Sequence, residues 1–453
     1  MQNKKINVFL TGATGVMGMA GLKELTKYPG RYSITVLARN TKINHKKLSL
    51  FQEKGVKVIW GDLLDYDVLK EGIFNADIVL HVGGMVSPKA DLHPAKTLQI
   101  NIESVRLITS IVKEIERKDV NRQIKVVYIG SVSQFGSLLP PNHWGGVGNK
   151  MQCAIGDAYA LSKILAERIL IESNIKKWVS LRQTGILHPG LLKKVNDPIM
   201  FHVPLRGVLE WISVNDSGRV LERICRENIP ENFWNQFYNI GGGKNYRLTN
   251  YEFEQKLLKA IGAPAPEKIF NPEWFATQNF HGIWFTDSEK LDEILHYQDK
   301  KSFDDYLKEL KKELTWYYNL TPLAPSWLIK LFMKHVAESS PLGTLSWIKN
   351  NELEKINIFW NGLDNYKKIK DWPSETIPER IPSGNLSSLE KNDKMPSEYS
   401  KNDYILEEKK CEKNHSYLSS KILEIGGHGC PYCLIEESKV NYKINRKPEL
   451  KLK

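Results

Sequence analysis

The sequence predicts an α/β protein: a doubly wound parallel sheet with a smaller second domain, a helical extension and a small C-terminal Cys/His module. Two observations predict it. Short β-branched runs at 7–11, 34–37, 56–60, 78–82, 124–129 and 179–182 alternate with helix-length stretches. Strands spaced that way lie parallel, with right-handed crossovers between them. The first run passes through a glycine-rich turn straight into a helical stretch at 19–26.

The bulk numbers fit such a protein. With 453 residues, 41% of them hydrophobic and 26% charged, the chain is long enough for two or three domains with a sizeable core. The start, Met1 to Lys5, runs into the first strand without the apolar stretch of a signal peptide, and no segment has the apolar length of a membrane span. Five cysteines are too few for a disulfide scaffold at this size, so a reducing, cytoplasmic setting is expected. The formal charge of +12 is scattered among acids and not gathered in a block, which speaks for solubility before a polyanionic partner.

The turn reads Thr11-Gly12-Ala13-Thr14-Gly15-Val16-Met17-Gly18. Gly12 permits the tight turn, Gly15 lets backbone approach a pyrophosphate, and Gly18 lets the helix sit close on the strand. The helix N-terminus then faces the phosphates. Thr14 and Val16 belong to the same cradle. NAD sites place an acid about twenty residues on for the ribose hydroxyls. Here the second strand ends Ala38-Arg39-Asn40, and Arg39 instead suits a 2′-phosphate, which tilts the expectation from NAD to NADP. After the third strand, Asp62 and Leu63 are candidates for the adenine side, Asp62 either accepting from the adenine amino group or capping a helix.

Ser131 ends the fifth run, and Tyr159 and Lys163 follow on a helical pattern four residues apart, on one face. A phenol is a poor base at neutral pH, but a nearby ammonium favours its phenolate. Tyr159 then exchanges a proton with a substrate oxygen, Lys163 supplies the charge and holds a ribose, and Ser131 hydrogen-bonds the oxygen where charge builds.

Jointly, the turn, the strand-end serine and the Tyr/Lys pair resemble the extended short-chain dehydrogenase/reductase family, also called the NAD-dependent epimerase/dehydratase family, over about residues 5 to 315. Further matching pieces are His81-Val82-Gly83-Gly84, Asn101, Leu181 to Ile186 with His188-Pro189-Gly190, and Trp211 to Asp216. The resemblance implies a Rossmann-like core over 1–188 and a substrate-side domain over 189–316. It also implies Gly83 against the adenosine side and pairing into a homodimer through helices that include that of Tyr159. The pattern departs from the family in having Gly130-Ser131 where two serines are frequent, so Ser133 is an alternative to Ser131. Val132-Ser133 stands where the 4,6-dehydratases carry an Asp-Glu pair, which disfavours that reaction.

Three readings follow. A dehydrogenase or reductase of a secondary alcohol or ketone suits Arg39 and the Trp-rich second half, with Trp211, Trp234, Trp274 and Trp284. A sugar-nucleotide epimerase holding NAD tightly would need phosphate-binding cations there, for which Arg206 and Arg219 are candidates. A non-catalytic cofactor sensor would leave Ser131, Tyr159 and Lys163 without a purpose. His143 and Trp144 lie where a substrate-side loop is expected.

Beyond the resemblance come a helical extension over 317–371, which either packs on the body or touches a membrane surface, and a Pro/Ser-rich linker over 372–402. A Cys/His segment over 403–436 precedes a basic tail over 437–453. Cys411, His415, Cys430 and Cys433 have the make-up of a closed structural zinc site, similar to small treble-clef modules, with His428 as a substitute ligand. Such a module is a docking element, or a nucleic-acid contact, and not part of the hydride chemistry.

Overall fold

The computed structural model describes residues 4–192, 197–313, 323–373, 380, 407–414, 416–419 and 433. Its centre is a seven-stranded, all-parallel sheet. The strands are β1 Ile6–Thr11, β2 Tyr32–Ala38, β3 Lys57–Trp60, β4 Ile78–His81, β5 Lys125–Ser131, β6 Lys177–Gln183 and β7 Gln236–Ile240. They lie in the order β7-β6-β5-β4-β1-β2-β3, so the chain reverses direction between β1 and β4. Ligands of open parallel sheets sit at such a switch point, outside the carboxyl ends of the strands.

Helices cover both faces, because the strands are apolar on both sides. Over one face lie α1 Val16–Leu25 and, after α2 Lys42–Glu53, α3 Tyr66–Phe74, α4 Pro94–Lys118 and α5 Ala158–Glu172, the helix α6 Val214–Arg223. Met17 and Leu22 of α1 and Val220 and Leu221 of α6 meet Val8, Leu10 and Val36 there. Over the other face, Leu69 and Ile73 of α3, Ile108 and Ile111 of α4, and Leu170 of α5 meet Phe9, Val79 and Val126. Asp65 caps α3 by accepting from the backbone of Asp67 and Val68, so Asp62 is not the helix cap that one reading of the sequence made it. The first helix starts at Val16, three residues before the expected stretch, because Gly15 itself serves as its N-cap.

The strand that the sequence pattern missed is β7. It follows an irregular stretch rich in Pro and Trp, and pairs with β6 in parallel register from Gln236 opposite Val179 to Ile240 opposite Gln183. A second apolar cluster forms beyond it, from α7 Asn250–Ile261, α8 Phe303–Lys312 and α9 Ser326–Ala337. The helices α10 Thr344–Lys349 and α11 Leu353–Trp360 close against it. Thr344 Oγ1 donates to Trp274 O at 2.6 Å, Trp360 Nε1 to Phe275 O at 3.0 Å, and Thr277 N to Phe359 O at 3.0 Å. The C-terminal helices therefore pack on the body. Among the described residues, no helix is long and apolar enough to cross a membrane.

Candidate active site

The turn after β1 is a cradle that only glycine fits. Gly12 has φ +75°, and a Cβ there would meet Gly83 N at 2.6 Å; a Cβ on Gly18 would lie 2.2 Å from Gly12 O. Gly15 N donates to Gly12 O at 3.0 Å. Thr11 ties the turn to the end of β4, its Oγ1 accepting from Gly83 N at 3.1 Å and lying 2.9 Å from His81 Nδ1. Burial pushes the His81 imidazolium down to about 3, so the ring is a neutral strut here. Leu63 reaches the same place, since a Cβ on Gly83 would touch its Cδ1 at 2.9 Å. Asp62 instead turns its Oδ1 to Leu64 N at 2.9 Å. The cradle has the close backbone approach and helix terminus that a dinucleotide pyrophosphate requires.

On the rim, Arg39, just past β2, and Lys47, midway along α2, are exposed, and no acid ends β2. Lys47 Nζ donates to Thr14 O at 3.0 Å. Lys47 was not singled out in the sequence, and it is the fold of α2 that brings it to the turn.

Ser131, Tyr159 and Lys163 converge. Ser131 ends β5 and caps a short 3-10 turn, Val132–Phe135; its backbone N–H is held by Gln134 Oε1 at 2.7 Å. Its Oγ accepts from Ser133 Oγ at 2.9 Å and is hydrogen-bonded to the Tyr159 hydroxyl. The two serines thus form a file, with Ser131 next to the phenol and Ser133 behind it. Burial, which outweighs the Ser131 hydrogen bond, pushes the Tyr159 phenol up to about 12. Lys163, one turn along α5, places Nζ 5.8 Å from the Tyr159 ring centre and donates to Ile129 O at 2.7 Å. Burial lowers its ammonium to about 8, against the opposing pull of Glu167.

Asn101, on α4, donates Nδ2 to Ser162 Oγ at 2.8 Å and accepts from Met85 N at 2.7 Å, fixing the loop after β4 against α5. Below, Glu167 and Arg182 form an ion pair at 2.8 Å with both side chains at 0% exposure. Asp157 caps α5 by accepting from Ala160 N at 2.8 Å.

A cavity of about 830 Å³ begins at this cap. Its wall runs from Ala154–Asp157 past Gly185–Ile186 to Trp211, Phe253, Leu257 and Ile261, and is completed by Ile329, Phe332 and Met333 of α9. Among the described residues, neither Lys nor Arg lines it, while Asp91, Asp157, Asp197 and Glu254 do. Of the proposed phosphate ligands, Arg206 is exposed outside it, and Arg219 donates Nε to Tyr297 O at 2.6 Å and pairs with Asp216. Trp211 lines the cavity, whereas Trp234, Trp274 and Trp284 are core residues outside its wall. His143 packs edge-on against Trp284, with ring centres 4.9 Å apart.

The sequence expectation for the tail is only partly reached by the structure. Cys411 and Cys433 bring their sulfurs to 3.6 Å, and His415, Cys430 and His428 lie outside the described residues. Among the described residues, no group of three or more potential ligands gathers.

Residues 8–184 match the model of the NAD dependent epimerase/dehydratase family. That stretch is similar to the epimerase/dehydratase family. The match takes in the glycine cradle, Ser131, Tyr159 and Lys163, and stops one residue past β6. An uncharacterized protein of Saccharomyces cerevisiae is 36% identical over 78 residues, 17% of this chain; the match spans a quarter of that relative's length. Among solved structures, a dTDP-glucose 4,6-dehydratase of Bacillus anthracis in complex with NAD superposes with a TM-score of 0.54 at 16% identity, covering 73% of this chain and 99% of that one. A UDP-glucose 4-epimerase of Bifidobacterium longum, in complex with NAD+ and UDP, gives 0.54 at 17%, covering 70% and 99%. A UDP-N-acetylglucosamine 4-epimerase of Methanobrevibacter ruminantium gives 0.53 at 18%, covering 68% and 98%. At these identities the likeness is one of fold. The shared fold runs past residue 184, because the neighbours are covered almost end to end.

Proposed function

We propose that the protein is an NAD(P)-dependent oxidoreductase of the extended short-chain dehydrogenase/reductase type, acting on the ketone or secondary alcohol of an apolar substrate. The observation that carries this reading is the cavity beside the Tyr159 helix, apolar along most of its wall and lined by four acids with no Lys or Arg among the described residues. A nucleoside diphosphate sugar needs cations to balance its phosphates, and that wall would repel it.

The glycine cradle fits a dinucleotide, which when bound would supply or accept the hydride. With its proton held to about 12, Tyr159 is poised to donate to the oxygen of a ketone, and Ser131 is placed to hydrogen-bond the same oxygen. In a reduction the phenolic proton of Tyr159 would pass to the oxygen of the ketone as its carbon is reduced; solvent would then reprotonate the tyrosinate, whose charge Lys163 would offset. Arg39 and Lys47, with no acid at the end of β2, favour NADP over NAD.

The test is a fluorescence titration of purified protein with NADPH and NADH, beside a denatured sample examined for carried-over cofactor. Tight NADPH binding to an empty site is the expected result. NAD that co-purifies, as suits an enzyme that regenerates its cofactor within each cycle, would overturn the reductase reading for an epimerase; binding of neither would overturn both.

We also propose that Cys411 and Cys433 share a structural zinc with His415 and Cys430. Two thiolates at about 2.3 Å from a tetrahedral zinc stand roughly 3.8 Å apart, whereas a disulfide holds its sulfurs at about 2.05 Å. The separation of 3.6 Å suits the former.

A further inference from the structure

The wall of the cavity is interrupted by one carboxyl that nothing in the wall answers. Glu254, on α7, is 4% exposed and faces the cavity together with Leu257, Leu258 and Ile261 of the same helix. The other three acids are engaged. Asp157 caps α5 and lies 3.5 Å from His281 Nδ1; Asp197 accepts from Ile199 N at 3.2 Å; Asp91 is hydrogen-bonded to Ser87. Glu254, among the described residues, has no hydrogen bond and no ion pair. Two polar side chains of the wall are also spent: Asn250 Nδ2 donates to Val203 O at 3.1 Å, and His202 Nε2 lies 2.6 Å from Leu342 O.

A buried carboxyl without a partner is costly, and its cost is the full desolvation of the group. Burial alone accounts for its being pushed up to about 7. Position offers no structural reason for an acid there. Glu254 stands three, four and seven residues before Leu257, Leu258 and Ile261, on the apolar stripe of the helix, where a leucine would continue the wall. A group kept at such a place, inside a cavity of ligand size, is matched by something that enters the cavity.

We propose that the cavity receives an elongated apolar ketone or alcohol which carries, away from its reacting carbon, one hydrogen-bond donor, a hydroxyl or an amine, and that Glu254 accepts it. The identity of the reacting group rests on the function proposed above; the recognition by Glu254 does not.

The experiment separates the two. The full chain is loaded with the neutral fluorophore phenylnaphthylamine, which brightens in apolar sites, and the dye is displaced by a twelve-carbon methyl ketone and by its terminal hydroxyl and terminal amino derivatives. Without an anchor, the plain ketone displaces best, because the polar ends lose water for nothing. With Glu254, at least one derivative displaces at a concentration lower by about tenfold, the effect of one hydrogen bond to its carboxyl. Glu254→Leu reverses the order. Glu254→Gln, close in shape, retains the preference for the hydroxyl if that is the donor and abolishes a preference for the amine, and it serves alone if the leucine variant does not fold. A wild-type preference for the plain ketone, equal order in wild type and variants, or failure of the dye to bind overturns the proposal. NADPH oxidation with the same ketones is read separately. Displacement without turnover would sink the hydride reading and leave Glu254 as the anchor; turnover indifferent to Glu254 would sink the anchor alone.

Discussion

Tyr159 and Glu254 are both acids held protonated by burial, and each gives a measurable consequence. Tyr159→Phe removes the proton and leaves the ring. Turnover of a ketone substrate is expected to fall by at least about 10²-fold while the dissociation constant for the dinucleotide changes little. A variant that turns over at the wild-type rate would remove Tyr159 from the mechanism. For Glu254 the readout is stability. A carboxyl held at about 7 against an ordinary 4.5 keeps its proton in the folded chain after the unfolded chain has lost it. The stability this contributes is complete below the unfolded value and is lost as pH rises through the folded one. Chemical denaturation of wild type and Glu254→Gln at pH 4.5 and 7 should therefore show the wild type losing on the order of 3 kcal/mol more over that window. Parallel profiles would mean the carboxyl is solvated. Glu254 was legible in principle. Its spacing to Leu257, Leu258 and Ile261 puts it on a buried stripe, but Asn250-Tyr251-Glu252-Phe253-Glu254 reads as a polar helix start, and Glu252 indeed closes a capping box with Thr249.

Single elements carry the next set of consequences. Helix α5 is seated by Glu167 on Arg182, and Lys163 lies one turn before that pair. Glu167→Gln leaves the Arg182 charge buried without its counter-ion and is expected to cost about 3 to 5 kcal/mol, read as a lower denaturation midpoint at unchanged slope. A loss under about 1 kcal/mol would mean that water or the Val147 carbonyl, which already accepts from Arg182 Nη1 at 3.0 Å, takes over. At the other end of the chain, elemental analysis of the purified protein should find close to one zinc per chain, lost in Cys433→Ser together with order in the hairpin of Glu407–Lys410 and Ser416–Ser419. Metal-free wild-type protein with an intact hairpin would refute the site. The elements that sequence periodicity reached were those whose pattern is local: the six strands, the glycine turn and the Tyr/Lys face. β7 escaped because Gln236-Phe237-Tyr238-Asn239-Ile240 follows Trp and Asn without a clear turn, and its place is set by pairing with β6 across the sheet.

For the molecule as a whole, the parallel sheet and its layers of helix followed from the sequence, because alternating β-branched runs and helices leave few topologies open. The cavity did not. Its wall draws on Ala154–Asp157, the loop after β6, α7 and α9, stretches far apart in sequence, and no local pattern marks an empty space. The rim cations divide similarly: Arg39 was found by its distance from the glycine turn, whereas Lys47 needed the fold of α2 to reach Thr14.

Ile329, Phe332 and Met333 of α9 belong to a part of the chain well past the family match at 8–184, yet they complete the cavity that begins at the cap of α5. On the function proposed above, chemistry and selectivity lie in separate passages of one chain. Substitutions in α9 can widen, narrow or reshape what is admitted while Ser131, Tyr159 and Lys163 stay as they are, so the range of molecules accepted is free to drift at a pace of its own.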